Sequence, residues 1–362
     1  MMAIDLDKYH AEGIKQLLQD AMKATVKAPR LGIFITRFAQ ACKRAEKLRA
    51  HYTAEGRHIP PFIIASITSA CNLHCAGCYA RANHMCGDKA SEGLLTAAEW
   101  DDIFNQAESI GICFILLAGG EPMLRTDVLR VAAEHKSTLF PIFTNGTLLK
   151  DDQLDLFDKN RNLVPIISIE GDAGRTDARR GSGVYETLEA TMKRLSEKSI
   201  LFGASITVTT QNAGYVTSDA FLETLRESGC KVVIYVEYVP ADGKTHELAP
   251  TDKERDMLCA RMAQLREAMS EIVFIAFPGD EFASGGCLAA GRGFFHINPY
   301  GGAEPCPFSA YSDTNVRQSG VLGALDSPLF QKLRAQDILQ GVHSGGCVLF
   351  EHDELVKQIA KR

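Results

Sequence analysis

The sequence lacks the features that would place it in a bilayer, on a nucleic acid or outside the cell. Its longest apolar run, Ile112 to Ala118, is far too short to span a membrane, so no transmembrane segment is expected. Lys and Arg number 39 against 45 Asp and Glu, a formal charge of −6. No broad basic field results, and DNA is not an expected partner. The N-terminus has no basic stretch leading into an apolar core, which argues against secretion. Eleven cysteines in 362 residues are too sparse for a disulfide scaffold and too clustered to be scattered core fillers. A reduced, cytoplasmic compartment with thiols kept for metal is the expectation.

What the sequence does have is Cys71, Cys75 and Cys78 inside eight positions, with Gly77 between the last pair and the apolar run Phe62 to Ile67 just before. Such a loop can wrap three thiolates round one object. Soft thiolates suit an iron–sulfur cluster or zinc, and three fit a [4Fe–4S] cluster with one iron left open. Zinc and buried or redox thiols remain as alternatives, because His74, His84 and Cys86 are near without a finger-like partner spacing.

The chain divides by pattern into three parts. Residues 1–60 read as helical, with Ile4, Leu6, Ile14, Leu17, Leu18 and Met22 in one segment and Leu31 to Ala50 in another. Residues 61–250 alternate apolar strands with helices. The strands are Phe62 to Ile67, Ile112 to Leu117, Leu139 to Phe143, Val164 to Ile169, Leu201 to Thr209 and Val232 to Tyr238. Thr96 with Glu99 predicts a capping box. Near-continuous apolar strands between helices imply a parallel sheet covered by helices, either open or curved into a partial barrel. Residues 251–362 turn glycine- and turn-rich after a charged helix and a strand, and carry Cys287, Cys306 and Cys347. A loop-rich segment poor in aliphatic core needs metal or a host domain to fold.

Further candidates sit at strand ends, where α/β folds keep their sites. Gly119 and Gly120 let a ligand approach the backbone, and Glu121 supplies a carboxylate before Pro122. Thr144 and Asn145 end the third strand, Ser168 and Glu170 the fourth, and Ser205 lies on the fifth. Tyr235 and Glu237 share one face of the sixth strand by the period of two. Arg179 and Arg180 follow strand four in a loop that could meet an anion. Cys42 and Cys113 read as core or helix cysteines.

The Cys71, Cys75, Cys78 and Tyr79 pattern resembles the signature of the radical S-adenosylmethionine (SAM) superfamily. Gly119-Gly120-Glu121-Pro122, Thr144-Asn145-Gly146 and Gly181-Ser182-Gly183 resemble that family's later motifs in order. The resemblance implies an α/β fold, a partial (β/α)6 TIM-type barrel with N-terminal helices and a small C-terminal iron–sulfur module. It implies a [4Fe–4S] cluster held by the three cysteines and S-adenosylmethionine. Tyr79, Gly119, Gly120, Glu121, Pro122, Thr144, Asn145, Ser168, Glu170 and Ser205 are implied cofactor contacts. Tyr235 and Glu237 are implied to reach substrate. Many relatives carry aspartate where this chain has Glu170.

The Cys287 to Cys306 segment resembles the first half of the auxiliary-cluster (SPASM/twitch-like) module found in many of these enzymes. With only Cys347 following, it implies a shortened module with one auxiliary [4Fe–4S] cluster. Cys259, Cys230, Cys86 and His343 are candidates for its fourth ligand. The implied reaction is reductive cleavage of S-adenosylmethionine to a 5′-deoxyadenosyl radical that abstracts hydrogen from substrate, with an external electron donor such as flavodoxin or ferredoxin. Residues 1–60 are too short and too helical for a winged-helix leader-binding domain. A small metabolite or cofactor precursor is therefore expected in preference to a peptide, with modification of a ribosomally made peptide or protein as one alternative and a non-enzymatic iron–sulfur carrier or assembly factor as another. The absence of a cobalamin-binding domain before the barrel makes a cobalamin methyltransferase less expected.

Overall fold

The computed structural model describes residues 29–277, 285–339 and 347–361. The predicted helical segment Ile4 to Met22 and the candidate ligand His343 lie outside them. The first described element is α1 (Pro29–Ala54). It buries Leu31, Ile35, Phe38, Ala41 and Ala45 at the helical spacing that puts one stripe against a core. Cys42 on this helix meets Cys113 with their sulfurs 3.7 Å apart, so both act as packing residues at the α1 contact.

Six βα units follow. They are β1 (Phe62–Ser66) with α2 (Tyr79–Ala82) and α3 (Ala97–Ser109), β2 (Phe114–Ala118) with α4 (Thr126–Glu134), β3 (Phe140–Thr144) with α5 (Asp151–Lys159), β4 (Leu163–Ser168) with α6 (Ala173–Arg180) and α7 (Val184–Glu197), β5 (Gly203–Val208) with α8 (Ala213–Val216) and α9 (Asp219–Glu227), and β6 (Val232–Glu237) with α10 (Asp252–Ala268). The predicted capping box opens α3: Thr96 N–H donates to Glu99 Oε2 at 2.7 Å and Glu99 N–H to Thr96 Oγ1 at 3.2 Å. All neighbouring pairs from β1 to β6 are parallel, as the unbroken apolar strands require.

The sheet continues across residue 250, where the sequence suggested a boundary. Strand β7 (Val273–Phe277) pairs parallel with β6. At the opposite edge β8 (His296–Ile297) pairs parallel with β1, and β9 (Gly302–Glu304) and β10 (Thr314–Asn315) continue antiparallel. The ten strands form one sheet in the order β10, β9, β8, β1 to β7. This is the helix-covered, partial TIM-type barrel, with a C-terminal helical segment of α11 (Val316–Leu325), α12 (Pro328–Ala335), α13 (Val348–Glu351) and α14 (Asp353–Ala360).

The two faces differ in a way that decides the site. Ile115, Leu117, Ile142, Ile167, Ala204 and Ile206 point to the helices and are fully buried. Leu116, Ala118, Phe143, Ser168, Thr207, Ile234 and Val236 alternate with that buried set and are only half-buried. The concave face and the strand C-termini above it are therefore where a ligand can reach.

Candidate active site at the C-terminal ends of β1 to β6

Cys71, Cys75 and Cys78 lie in the loop between β1 and α2, all half-buried. Gly77 bends this loop with φ +64°, and a Cβ there would come 2.4 Å from Tyr238 Oη. Only glycine fits beneath that ring. The loop is pinned by arginines. Arg81 donates to the Leu73 carbonyl at 2.8 Å and to Asp88 at 2.9 Å. Arg179 donates through Nε to the Ala76 carbonyl at 3.1 Å, and Ala76 N–H donates back to the Arg179 carbonyl at 2.8 Å.

These contacts set the thiol chemistry. The Cys71 thiol is pushed down to about 6, first by a hydrogen bond from Cys86 and then by the Leu73 N–H, Arg81 and Asn145, against burial. Burial raises Cys75, with Cys78 and Cys71 adding to the rise and Arg180 and Arg179 opposing it. Cys71, Cys75 and Cys78 are free thiols. Soft donors in a loop ringed by cations are the chemistry an anionic iron–sulfur cluster needs. Among the described residues no three His, Cys, Asp or Glu side chains converge as a ready metal-holding group.

The β2 and β3 ends meet this loop. Cβ atoms on Gly119 and Gly120 would lie 2.5 Å from the Thr68 carbonyl oxygen and 2.0 Å from that of Ala70, so the turn lies against backbone. Glu121 is buried, with Pro122 opening a short helical turn after it. Its carboxylate accepts from Thr144 Oγ1 at 2.7 Å, Asn145 N–H at 2.7 Å and Met123 N–H at 3.0 Å. With about four lone-pair sites, it keeps room for one further donor. Asn145 Nδ2 reaches Asn72 at 2.8 Å and the Cys71 sulfur at 4.0 Å. Cys71, Glu121, Thr144 and Asn145 thus form one constellation.

Burial drives the Glu121 carboxyl up to about 7 despite its three hydrogen bonds. Between its ordinary value of 4.5 and 7, the folded protein holds this proton and the unfolded chain has released it. Stability therefore falls as pH rises through that window, by on the order of 3 kcal/mol from this group. Urea unfolding of the cofactor-free protein at pH 5 and pH 8 should show Glu121→Gln missing this loss. Parallel pH profiles for the two proteins would refute the assignment.

Ser168 and Ser205 are register partners on β4 and β5, side by side on the concave face with Thr207 beyond. Glu170 is turned inward instead. Its Oε1 accepts from Arg179 Nη1 at 3.0 Å and Arg180 Nε at 3.0 Å, and its Oε2 from Thr207 N–H at 3.0 Å. Tyr79 begins α2 and packs edge-on against Phe308, ring centroids 4.7 Å apart.

Tyr235 and Glu237 share a face, but it is the helix-packed one. Tyr235 Oη donates to the Val216 carbonyl at 2.8 Å, and Glu237 pairs with Arg255 of α10 at 2.8 Å. Both are buried away from the concave side, which corrects the expectation that they reach substrate. Their neighbours Ile234 and Val236 occupy that side. Tyr238, Arg81 and the arginine pair at 179–180 are the loop-shaping residues that sequence reasoning missed. Only the paired arginines carried a signal, and it suggested an external anion.

Cys287 and Cys306 are buried in the main core, and Cys347 packs against it at the start of α13. Arg292 ties the Cys287 carbonyl to that of Leu339, at 2.5 and 2.6 Å. Cys230 is fully buried with its thiol on the Val232 carbonyl, and Cys86 neighbours Cys71. Cys259 is exposed.

Residues 65–212 match the Radical SAM superfamily. These residues form a radical SAM catalytic domain. It is 26% identical over 311 residues to the AdoMet-dependent heme synthase of Methanosarcina barkeri (strain Fusaro / DSM 804), covering 78% of this chain and 87% of that one. It is 26% identical over 299 residues to the PqqA peptide cyclase of Rhizobium meliloti (strain 1021), 78% of each chain. The crystal structure of Streptococcus suis SuiB bound to precursor peptide SuiA superposes with a TM-score of 0.68 at 18% identity, over 87% of this chain and 77% of that one. The expected preference for a small molecule over a peptide does not stand against the peptide cyclase and the peptide-bound SuiB structure. No described helix is long and apolar enough to cross a membrane.

Proposed function

We propose that this radical SAM enzyme modifies a side chain or backbone position of a ribosomally made peptide or protein. The observation that carries the reading is the relationship to PqqA peptide cyclase along 78% of both chains. The half-buried concave face of Leu116, Phe143, Thr207, Ile234 and Val236 supports it, because it offers an extended partner a mostly apolar floor.

In this reading Cys71, Cys75 and Cys78 hold a [4Fe–4S] cluster. Tyr79, Gly119, Gly120, Glu121, Pro122, Thr144, Asn145, Ser168 and Ser205 surround S-adenosylmethionine. Cys287, Cys306 and Cys347 hold one auxiliary [4Fe–4S] cluster in a shortened SPASM/twitch-like segment, and an external flavodoxin or ferredoxin supplies electrons in a reduced cytoplasm. A cluster held by Cys71, Cys75 and Cys78 would supply one-electron reduction of S-adenosylmethionine, the source of radical chemistry on the substrate. The chain's own contribution is positional. Arg81 and Arg179 fix the cysteine loop, Gly119 and Gly120 keep the turn low enough for a ligand, and Glu121 holds the β3 end against it.

Anaerobically reconstituted protein given dithionite and S-adenosylmethionine is expected to release 5′-deoxyadenosine. Short peptides encoded beside the gene, added to the same reaction, are expected to change mass. Release without any peptide mass change would remove the peptide reading. No release despite full iron loading and cofactor binding would favour an electron carrier.

A further inference from the structure

Two cysteines at the opposite end of β2 from the candidate site are held face to face by a rigid frame. Cys42 on α1 and Cys113, just before β2, are 71 positions apart in sequence, yet their sulfurs lie 3.7 Å apart, at van der Waals contact. Cys42 is half-buried and Cys113 is buried, in a cluster with Phe34, Phe38, Ala45 and Leu139. Two contacts fix α1 over this point. Arg49, two turns further along the same face of the helix, donates through Nη1 to the Gly111 carbonyl at 2.7 Å. Gly111 has φ +92°, and a Cβ there would come 2.6 Å from the Ala45 carbonyl oxygen. Only glycine lets the helix backbone lie this close. The frame therefore sets which sulfur Cys42 meets.

The same frame favours a thiolate. The Cys113 thiol is pushed down, first by the hydrogen bond from Cys42 and then by the Arg49 charge, against burial. That hydrogen bond, with burial, pushes Cys42 up. One sulfur ready to ionise thus touches one that keeps its proton, the arrangement of an attacking and a resolving thiol. Packing accounts for two thiols beside phenylalanines, but not for a buried arginine whose charge falls on both.

We propose that Cys42 and Cys113 are an oxidation site, which a peroxide converts into a disulfide that staples α1 to the start of β2. Hydrogen peroxide, little larger than water, enters on the side of half-buried Cys42. The Cys113 thiolate attacks one peroxide oxygen, the O–O bond breaks, and hydroxide leaves with the electron pair and takes up the proton that Cys113 released. Cys113 is then a sulfenic acid. The Cys42 sulfur attacks it, the S–O bond breaks, and water leaves with the Cys42 proton. Two thiols and one peroxide give one disulfide and two waters, with two electrons passing from sulfur to peroxide. In a reducing compartment such a bond is transient and marks exposure to oxidant. The step needs no iron and no S-adenosylmethionine.

The test treats the cofactor-free full-length chain with hydrogen peroxide, blocks remaining thiols by alkylation and maps tryptic peptides by mass without reduction. Tryptic peptides 38–43 and 90–125 each hold a single cysteine, Cys42 and Cys113. They should appear joined, lighter by two hydrogen atoms than their sum, and should separate on treatment with dithiothreitol. In the folded chain this should be the dominant partner of Cys42, whereas the same treatment in urea should spread Cys42 over several partners. Arg49→Met, with its fold checked by circular dichroism, should form the link about tenfold more slowly, because the thiolate loses its cation. If that variant unfolds, the comparison with urea still decides. Absence of the linked pair in the folded chain, Cys42 joined instead to Cys71 or Cys86, or the same spread of partners with and without urea overturns the proposal.

Discussion

Replacing Cys71, Cys75 and Cys78 together by Ala is expected to abolish 5′-deoxyadenosine release while leaving about four irons per chain at the C-terminal cysteines. The three residues occupy one loop whose geometry is held from outside by Arg81 and Arg179, so losing three half-buried thiols removes donors without removing the struts. The C-terminal three are anchored independently. Cys287 and Cys306 are buried in the main core, and Arg292 fixes the Cys287 carbonyl to Leu339. Iron and sulfide counting on anaerobically purified protein reads the outcome. Loss of all iron in the triple variant would defeat the two-cluster assignment, whereas unchanged iron would mean the 71–78 loop holds none.

The strands of β1 to β6 could be read from the sequence because each is an apolar run that needs no distant partner to be recognised. Strands β8 to β10 could not. They are two or three residues long, and they exist only because β1 offers an open edge hundreds of positions earlier. The same limit applies to the site. The period of two groups Tyr235 with Glu237, but parity does not say which face the helices cover, and Val216 and Arg255 claim that face. Cys71, Glu121, Thr144 and Asn145 come together because they all end parallel strands at one rim, which the alternating pattern implies. The adjacent Arg179 and Arg180 look like an external anion site in sequence because their partner, Glu170, and their tie to Ala76 are made by folding.

That last group gives the second large expected effect. Glu170→Ala is expected to cost about 3–5 kcal/mol, because it strands two arginines beside an emptied, buried position. Glu170 is 2% exposed at its side chain, and Arg180, paired with it, is 10% exposed. The deletion also frees the Thr207 N–H and releases Arg179, whose guanidinium and carbonyl both hold Ala76 between Cys75 and Cys78. The cofactor-free variant should therefore melt several degrees lower and take up less iron. Glu170→Gln should fall between, since the amide keeps an acceptor but not the charge. Exchanging Arg180 for Met in the Ala background should recover part of the stability, as removing the unpaired charge usually does. The resemblance to relatives with aspartate here implies a different role, a contact to the cofactor ribose. On that account Glu170→Gln would weaken S-adenosylmethionine binding and leave the melting temperature of the cofactor-free chain unchanged. Thermal unfolding and cofactor titration on the same variant therefore separate the two, and the inward geometry of both carboxylate oxygens favours the loss of stability.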